Sequence, residues 1–175
     1  MKELDPKIQI IGVDPNGSIL ALPEDLNKEG IHSYKVEGIG YDFIPRVLGR
    51  EYVDKWLKTD DQESFDYSRR LIREEGMLVG GSSGCAMAAA IRLIKELDLG
   101  EGKRVVVILP DSVRNYITKF INNDWMYENG FINEEECTNL CTSTLVPSKD
   151  WGQDATVADL KLHEATFLSA DLTVK

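Results

Sequence analysis

Residues 77–100, MLVGGSSGCAMAAAIRLIKELDLG, decide the fold that this sequence predicts. Residues 77–79 are apolar and predict a short strand, and the glycine- and serine-rich residues 80–84 predict a turn. The alanine-rich stretch that follows predicts a helix to about Leu97, which Gly100 ends. A strand that leads through a glycine-rich turn into a helix is typical of folds in which parallel strands alternate with helices. The segment therefore predicts an α/β protein.

The sequence on either side continues this alternation. Residues 8–13 and 105–109 are apolar and rich in β-branched side chains, so both predict buried strands. Residues 61–75 place apolar side chains at helical spacing and are followed by Gly76, a residue that commonly ends helices. The aromatic residues within 116–126 predict a further helix that docks on the sheet. We therefore expect an incomplete parallel sheet with flanking helices.

The C-terminal part of the chain differs in composition. Residues 133–154 are rich in acidic residues, serine and threonine, include Pro147 and show no helical or alternating pattern, which indicates a linker. Apolar order returns in residues 155–175, but this stretch is too short to bury a core of its own. The sequence therefore predicts a folded core over residues 1–132, a linker, and the start of a further domain.

Charge and length exclude several kinds of partner. The 175 residues include 30 acidic and 20 basic side chains, for a net charge of −10. Nucleic acids and anionic membranes attract surplus Lys and Arg, so neither is expected as a partner. The longest apolar runs are far shorter than the roughly 20 residues of a membrane-spanning helix. Three cysteines without a pairing pattern, and an N-terminus unlike a signal peptide, predict a cytoplasmic protein.

Three segments have the composition of ligand-binding loops: residues 38–45 (GIGYDFIP), 80–84 (GGSSG) and 110–112 (PDS). In α/β sheets, ligands bind where loops follow the carboxyl ends of strands and expose backbone N–H groups. Purely structural roles stay open for each segment. Ser82 or Ser83 is suited to cap the helix that follows it, and Asp111 to cap the next one. The glycines of the first segment are suited to a tight turn beside a packed Tyr41.

Other kinds of active site are not supported by the sequence. No glycine segment has the spacing of a nucleotide phosphate loop (GxxxxGK[ST]) or of a dinucleotide fingerprint (GxGxxG). His32 and His163 have no metal-ligand spacing with a cysteine, so no metal site is expected. The same two histidines show no pattern with a serine and an aspartate that would predict a catalytic triad.

Four blocks resemble the cystathionine β-synthase family in their order and spacing: residues 11–20 (IGVDPNGSIL), 36–45 (VEGIGYDFIP), 80–84 (GGSSG) and 107–120 (VILPDSVRNYITKF). Residues 8–132 are similar to the later half of that family's catalytic core. Residues 151–174 resemble the lead-in to its C-terminal regulatory domain pair. Cysteine synthases share the glycine blocks but usually continue as PDSG, whereas this chain has PDSVRNY. The sequence therefore favours the cystathionine β-synthase family over the cysteine synthases.

The resemblance implies a fold type II pyridoxal-phosphate enzyme, in which the cofactor lies between two α/β subdomains. It also implies that Ser82 hydrogen-bonds the pyridine nitrogen and that Gly38, Gly40 and Tyr41 lie on the substrate side. The implied reaction replaces the hydroxyl group of serine with the thiol of homocysteine to give cystathionine, a step of transsulfuration and cysteine biosynthesis. The full-length enzyme is expected to be a homo-oligomer.

The chain lacks three blocks that the family uses: an SxKDR-like block whose lysine binds the cofactor covalently, an asparagine for the ring oxygen, and a Gly/Thr-rich phosphate loop. We therefore expect no catalytic residue here, a sequence that begins just after the phosphate loop, and no activity from the chain alone. The haem-binding extension of animal members is likewise missing, so no haem is expected on this segment. A cysteine synthase fragment and a non-catalytic remnant that binds a partner subunit stay open as alternatives.

Overall fold

Two parallel strands and four α-helices make up the part of the chain that the computed structural model describes, which is residues 1–143. The elements are β1 (Ile11–Pro15), β2 (Lys55–Thr59), α1 (Asp61–Glu75), α2 (Gly81–Glu96), α3 (Asn123–Glu128) and α4 (Glu134–Ser143), with 3₁₀ turns at Glu24–Asn27, Arg50–Tyr52 and Val113–Tyr116. The predicted α/β class is confirmed. These residues divide into a first unit, 1–99 with 105–122, and a second unit, 100–104 with the residues from 123.

Strand β1 pairs in parallel with strand β2, and the register of the pair matters for the site. Ile11 lies opposite Lys55, and Asp14 lies opposite Lys58. Because parallel strands run in the same direction, both carboxyl ends lie at one edge of the sheet. That edge therefore carries the buried carboxylate of Asp14 next to the ammonium group of Lys58.

Helix α1 has the boundaries that its sequence predicts. The side chain of Asp60 accepts a hydrogen bond from the backbone N–H of Glu63 (2.9 Å), and the Glu63 carboxylate accepts one from the backbone N–H of Asp60 (3.2 Å). This reciprocal pair caps the first turn. At the other end Gly76 has a φ of 67°, a left-handed conformation that glycine adopts without strain. The predicted helix over residues 61–75 is confirmed.

Helices α1 and α2 pack with their backbones in close contact. A Cβ atom at position 84 would lie 1.9 Å from the carbonyl oxygen of Ser64 and 2.3 Å from Oγ of Ser68. Glycine is therefore required at Gly84, because any side chain there would overlap helix α1. Ala88 and Ala89 of the same helix are fully buried, so small residues continue along α2 beyond the crossing.

Two predicted strands are absent from the structure of residues 1–143. Residues 105–109 form no strand, and Val106 and Ile108 are 80% and 77% exposed. The predicted strand before the glycine-rich turn contributes one isolated antiparallel bridge, between Val79 and Ser112. An apolar, β-branched segment becomes a strand through pairing with a neighbouring strand, and neither segment has a ladder partner within residues 1–143.

The positions of the observed strands also correct the sequence prediction. The first strand lies at Ile11–Pro15 rather than at residues 8–13, so it extends into the residues that follow the apolar run. Strand β2 was not predicted at all. Lys55 and Lys58 interrupt its apolar pattern, and the strand buries only Trp56 and Thr59. Such a short, charged segment carries little signal of its own, because pairing with β1 is what makes it a strand.

Phe120, an aromatic residue after the PDS segment, docks on a helix rather than on the sheet. Residues 116–126 do not form one helix, since a 3₁₀ turn at Val113–Tyr116 and helix α3 are separated by irregular backbone. Phe120 stacks on Phe65 of helix α1, with the ring centroids 5.4 Å apart. The predicted single helix was wrong, because the Phe120 ring is buried through a contact with α1 that helical spacing does not encode.

The second unit contains helix α4, which lies within the predicted linker. Asn133 and Glu136 form a reciprocal cap at its start: the side chain of Asn133 accepts a hydrogen bond from the Glu136 N–H (2.8 Å), and the Glu136 carboxylate accepts one from the Asn133 N–H (2.9 Å). The expected absence of a helix was therefore wrong here.

Residues 144–175 lie outside the described residues. They include the rest of the linker and the predicted start of a further domain, so the domain boundaries stay a prediction. No helix within residues 1–143 has the length and apolarity needed to cross a membrane.

Replacing Gly84 with alanine in the full chain should destabilise it. The added Cβ atom would overlap the backbone of helix α1, and overpacking of this kind costs about 1–3 kcal/mol. Chemical denaturation followed by circular dichroism measures the change in the free energy of unfolding. Gly100→Ala is the matched control, because an added Cβ there meets no atom within 4 Å. Equal stability of the Gly84→Ala variant and the unmodified chain would contradict the close crossing.

Candidate functional site

The glycine- and serine-rich residues 80–84 form the beginning of helix α2. Gly80 is the N-cap residue, and no side chain caps this helix. Ser82 and Ser83 lie inside the first turn, so the interpretation of either serine as the cap is wrong. Ser82 is only 5% exposed, and the buried hydroxyl oxygen of Ser83 has no hydrogen-bond partner in the described part of the chain.

A buried serine of helix α1 holds this turn in place. The Ser68 hydroxyl donates a hydrogen bond to the carbonyl oxygen of Gly80 (2.9 Å) and accepts one from the backbone N–H of Gly84 (3.1 Å). Ser68 is fully buried, so both bonds form away from water. This role of Ser68 was not predicted from the sequence. The available signal was a serine on the apolar face of an amphipathic helix, where a hydroxyl needs a polar partner.

Asp111 packs against the other side of the turn. Its carbonyl oxygen accepts a hydrogen bond from the Gly80 N–H (3.1 Å), and a Cβ atom at position 80 would lie 2.0 Å from Oδ1 of Asp111. That Oδ1 atom is buried and has no hydrogen-bond partner within residues 1–143. Asp111 does not cap the next helical turn, because the Ser112 side chain occupies that position and accepts from the Arg114 N–H.

The Tyr116 phenol fixes the carboxylate of Asp111. Its hydroxyl donates a hydrogen bond to Oδ2 of Asp111, at 2.5 Å. This bond, together with burial and the negative charges of Asp111 and Glu37, raises the pKa of Tyr116 from its ordinary 10.0 to about 12. The phenol therefore stays protonated, and remains a donor, over the whole physiological pH range.

The predicted substrate-side residues lie in a segment that is anchored on the loop after strand β1. The Ser18 hydroxyl accepts a hydrogen bond from the Tyr41 N–H (2.9 Å) and donates one to the Tyr41 carbonyl oxygen (3.1 Å). Gly40 has a φ of 76°, and a Cβ atom there would lie 2.6 Å from Pro15 Cγ. Gly38 also has a positive φ, and the Tyr41 side chain is 51% exposed. Tyr41 is thus not a packed core ring.

Segment 36–41 connects the glycine-rich turn with the end of strand β1. The Asp61 carboxylate accepts hydrogen bonds from the N–H groups of Lys35 (2.6 Å) and Val36 (2.9 Å). The buried Val36 lies against the turn, with Cγ1 3.7 Å from the position that a Cβ atom of Gly81 would take. The structure therefore brings the turn at residues 80–84 together with Asp111 of the third candidate loop, and places Val36, two residues before the first loop, against the same turn.

A family match decides what kind of protein this is. Residues 1–111 match the family described as "Pyridoxal-phosphate dependent enzyme". The chain belongs to that family. The match includes the first two candidate loops, residues 38–45 and 80–84, and it reaches Asp111 in the third.

Relatives within this pyridoxal-phosphate family narrow the comparison. The chain is 51% identical to a cystathionine beta-synthase of Dictyostelium discoideum, over 99% of this chain and 33% of that enzyme. It is 40% identical to a cysteine synthase of Helicobacter pylori, over 69% of this chain and 37% of that enzyme. The solved structure of an O-acetylserine dependent cystathionine beta-synthase from Helicobacter pylori matches with a TM-score of 0.57 and 39% identity, over 67% of this chain and 36% of that one.

These matches confirm the predicted family and fold, but they do not test the predicted site residues. The resemblance to cystathionine β-synthases and the fold type II architecture are confirmed. The chain spans about a third of the length of the relatives that it matches. The roles assigned to Ser82, Gly38, Gly40 and Tyr41 stay predictions.

The residues at the start of helix α2 fit the ring side of pyridoxal phosphate. A pyridine nitrogen needs one hydrogen-bonding group, and the Ser82 hydroxyl in the first turn of α2 is such a group. The buried Oδ1 atom of Asp111, beside the same turn, has no hydrogen-bond partner within residues 1–143, so a polar group at this turn is not satisfied by the described residues.

The Tyr116–Asp111 bond should be visible in the pH dependence of stability. Since the pKa of Tyr116 is about 12 in the folded protein and ordinarily 10.0, its stabilising contribution is complete below about pH 10 and is lost as the pH rises toward 12. We expect the unmodified chain to lose more stability over this range than a Tyr116→Phe variant, measured by chemical denaturation. Parallel losses in the two proteins would contradict the bond.

Proposed function

We propose that this chain forms the ring-nitrogen side and one substrate-side wall of a pyridoxal-phosphate active site that catalyses β-replacement. In the whole enzyme, homocysteine replaces the hydroxyl group of serine and cystathionine is formed. The observation that carries the proposal is the buried Ser82 in the first turn of α2, with that turn held by Ser68 and Asp111. As the family resemblance implies, the whole enzyme is proposed to be a cytoplasmic homo-oligomer.

Ser82 is assigned to the pyridine nitrogen because of its chemistry as well as its position. When bound, pyridoxal phosphate supplies an electron-withdrawing ring whose strength depends on the group next to its nitrogen. A neutral hydroxyl holds that nitrogen protonated less firmly than a carboxylate does. A serine at this position therefore suits elimination and replacement at the β-carbon better than transamination.

The segment with Gly38, Gly40 and Tyr41 is assigned to the substrate side. Its two positive-φ glycines bring backbone close to a ligand, and the half-exposed Tyr41 ring offers a hydroxyl next to it. Closure of such a segment would exclude water and orient the incoming thiol.

The covalent lysine and the phosphate loop are proposed to come from chain outside these 175 residues. No lysine of the sequence lies in an SxKDR-like block, and Lys58, the buried lysine of strand β2, already donates to Asp14. The 175 residues by themselves are therefore expected to be inactive, with the reactive lysine supplied by the other part of the catalytic core.

A chimeric enzyme tests this function. The matching third of the Dictyostelium discoideum cystathionine beta-synthase is replaced by this chain, and product formation from serine and homocysteine is followed by mass spectrometry. We expect cystathionine to form. Faster formation of cysteine from O-acetylserine and sulfide would favour the cysteine synthase alternative. A folded chimera that binds no pyridoxal phosphate would contradict the proposal and favour a non-catalytic remnant.

Two single variants of the chimera test the assignment of Ser82. Ser82→Ala should lower kcat about tenfold, since the loss of one hydrogen bond of about 1.4 kcal/mol changes a rate by that factor. Ser83→Ala is the matched control, because it removes a hydroxyl from the same turn that has no partner in the described part of the chain. A larger loss in the Ser83→Ala variant than in the Ser82→Ala variant would overturn the assignment.

A further inference from the structure

A buried ionic network lies at the carboxyl ends of strands β1 and β2. The Lys58 ammonium group donates to Oδ2 of Asp14 (2.7 Å), to the carbonyl oxygen of Ser18 (2.9 Å) and to Oδ1 of Asn27 (3.3 Å). All three of its protons therefore have acceptors. The Lys58 side chain is 13% exposed and that of Asp14 only 1%, so both charges are largely removed from water.

The loop after strand β1 is folded around this network. The Ala21 N–H donates to Oδ2 of Asp14 (3.2 Å), and the Asn27 side-chain amide donates to the Ala21 carbonyl oxygen (2.9 Å). Burying an ion pair costs free energy that its hydrogen bonds have to offset, so every group of such a network is fixed in position. The carbonyl of Ser18, bonded to Lys58, is one of these fixed groups.

The side chain of Ser18 reaches from this fixed position to the substrate-side segment. Its hydroxyl accepts a hydrogen bond from the Tyr41 N–H and donates one to the Tyr41 carbonyl oxygen. The Ile19 N–H donates to the same carbonyl oxygen (3.1 Å). The approach depends on Gly40, because a Cβ atom there would lie 2.9 Å from Cβ of Ser18. Ser18 is 1% exposed, so water does not compete for these bonds.

We propose that Ser18 is a positioning residue for segment 38–41, and that Lys58 fixes Ser18 through its carbonyl oxygen. The two hydrogen bonds between Ser18 and Tyr41 form a clamp on the backbone of Tyr41, the residue whose half-exposed ring is assigned to the substrate side. The consequence for catalysis rests on the proposed function. By fixing Tyr41, the clamp sets the affinity of the active site for the incoming thiol of homocysteine.

The test compares Ser18→Ala with the unmodified protein in two measurements. Hydrogen exchange on the 175-residue chain should show faster exchange of the Tyr41 amide, because its acceptor is removed. In the chimera, KM for homocysteine should rise about five- to tenfold, the effect of a lost hydrogen bond, with the absorption spectrum of bound cofactor and KM for serine unchanged. Ser64→Ala is the matched control, since Ser64 is an equally buried serine whose hydroxyl donates within helix α1.

The two measurements separate the failure of this proposal from failure of the proposed function. Unchanged exchange at Tyr41 would overturn the clamp whether or not the chimera is active. Faster exchange with an unchanged KM for homocysteine, or an equal rise in the Ser64→Ala control, would overturn the positioning role. If the unmodified chimera forms no cystathionine, the proposed function fails while the exchange rates still decide the clamp. Should the Ser18→Ala variant not fold, Ser18→Cys keeps a side chain of similar size that is a weaker donor and acceptor.

Discussion

The close crossing of helices α1 and α2 at Gly84 is the constraint on which the rest of the candidate site depends. A Cβ atom at this position would overlap the backbone of α1 at Ser64, so the two helices approach as closely as they do only because the residue is glycine. This approach brings the Ser68 hydroxyl within reach of both ends of the turn at residues 80–84. If α1 lay further from α2, the Ser68 hydroxyl could not reach Gly80 and Gly84. The turn, and Ser82 within it, would then lose the hydrogen bonds that fix its position.

Both candidate ligand segments are held in the same way. In each, one buried serine hydroxyl accepts from a backbone N–H and donates to a backbone carbonyl: Ser68 does this for the turn at residues 80–84, and Ser18 for Tyr41. A hydroxyl can serve both groups because it is a donor and an acceptor at once. Each contact also needs a glycine next to it. The site is thus positioned by small residues on rigid elements, which leaves the ligand-facing groups free for chemistry.

Local sequence predicted helices α1 and α2 better than it predicted the strands or the anchors, but it missed α4 and wrongly predicted one helix over residues 116–126. Helix α1 was predicted at its observed bounds because its apolar spacing lies within the segment and Gly76 follows it directly. The segment at residues 105–109 looks like a strand and is none, because a strand needs a partner. The family resemblance assigns roles to Ser82 and Tyr41, which stay predictions. It could not indicate Ser18 or Lys58, because their partners Tyr41 and Asp14 lie 23 and 44 residues away in sequence. The pairing of β1 with β2 brings Lys58 next to Asp14.

We propose that the crossing of helices α1 and α2 places the Ser82 hydroxyl at the ring nitrogen of bound pyridoxal phosphate. The most direct test is a crystal structure of the chimeric enzyme with the cofactor bound. We predict Oγ of Ser82 within hydrogen-bond distance of the pyridine nitrogen, about 2.7–3.2 Å, with Gly84 still packed against helix α1. A ring nitrogen that bonds a different side chain, or that lies beyond hydrogen-bond reach of Ser82, would contradict the claim.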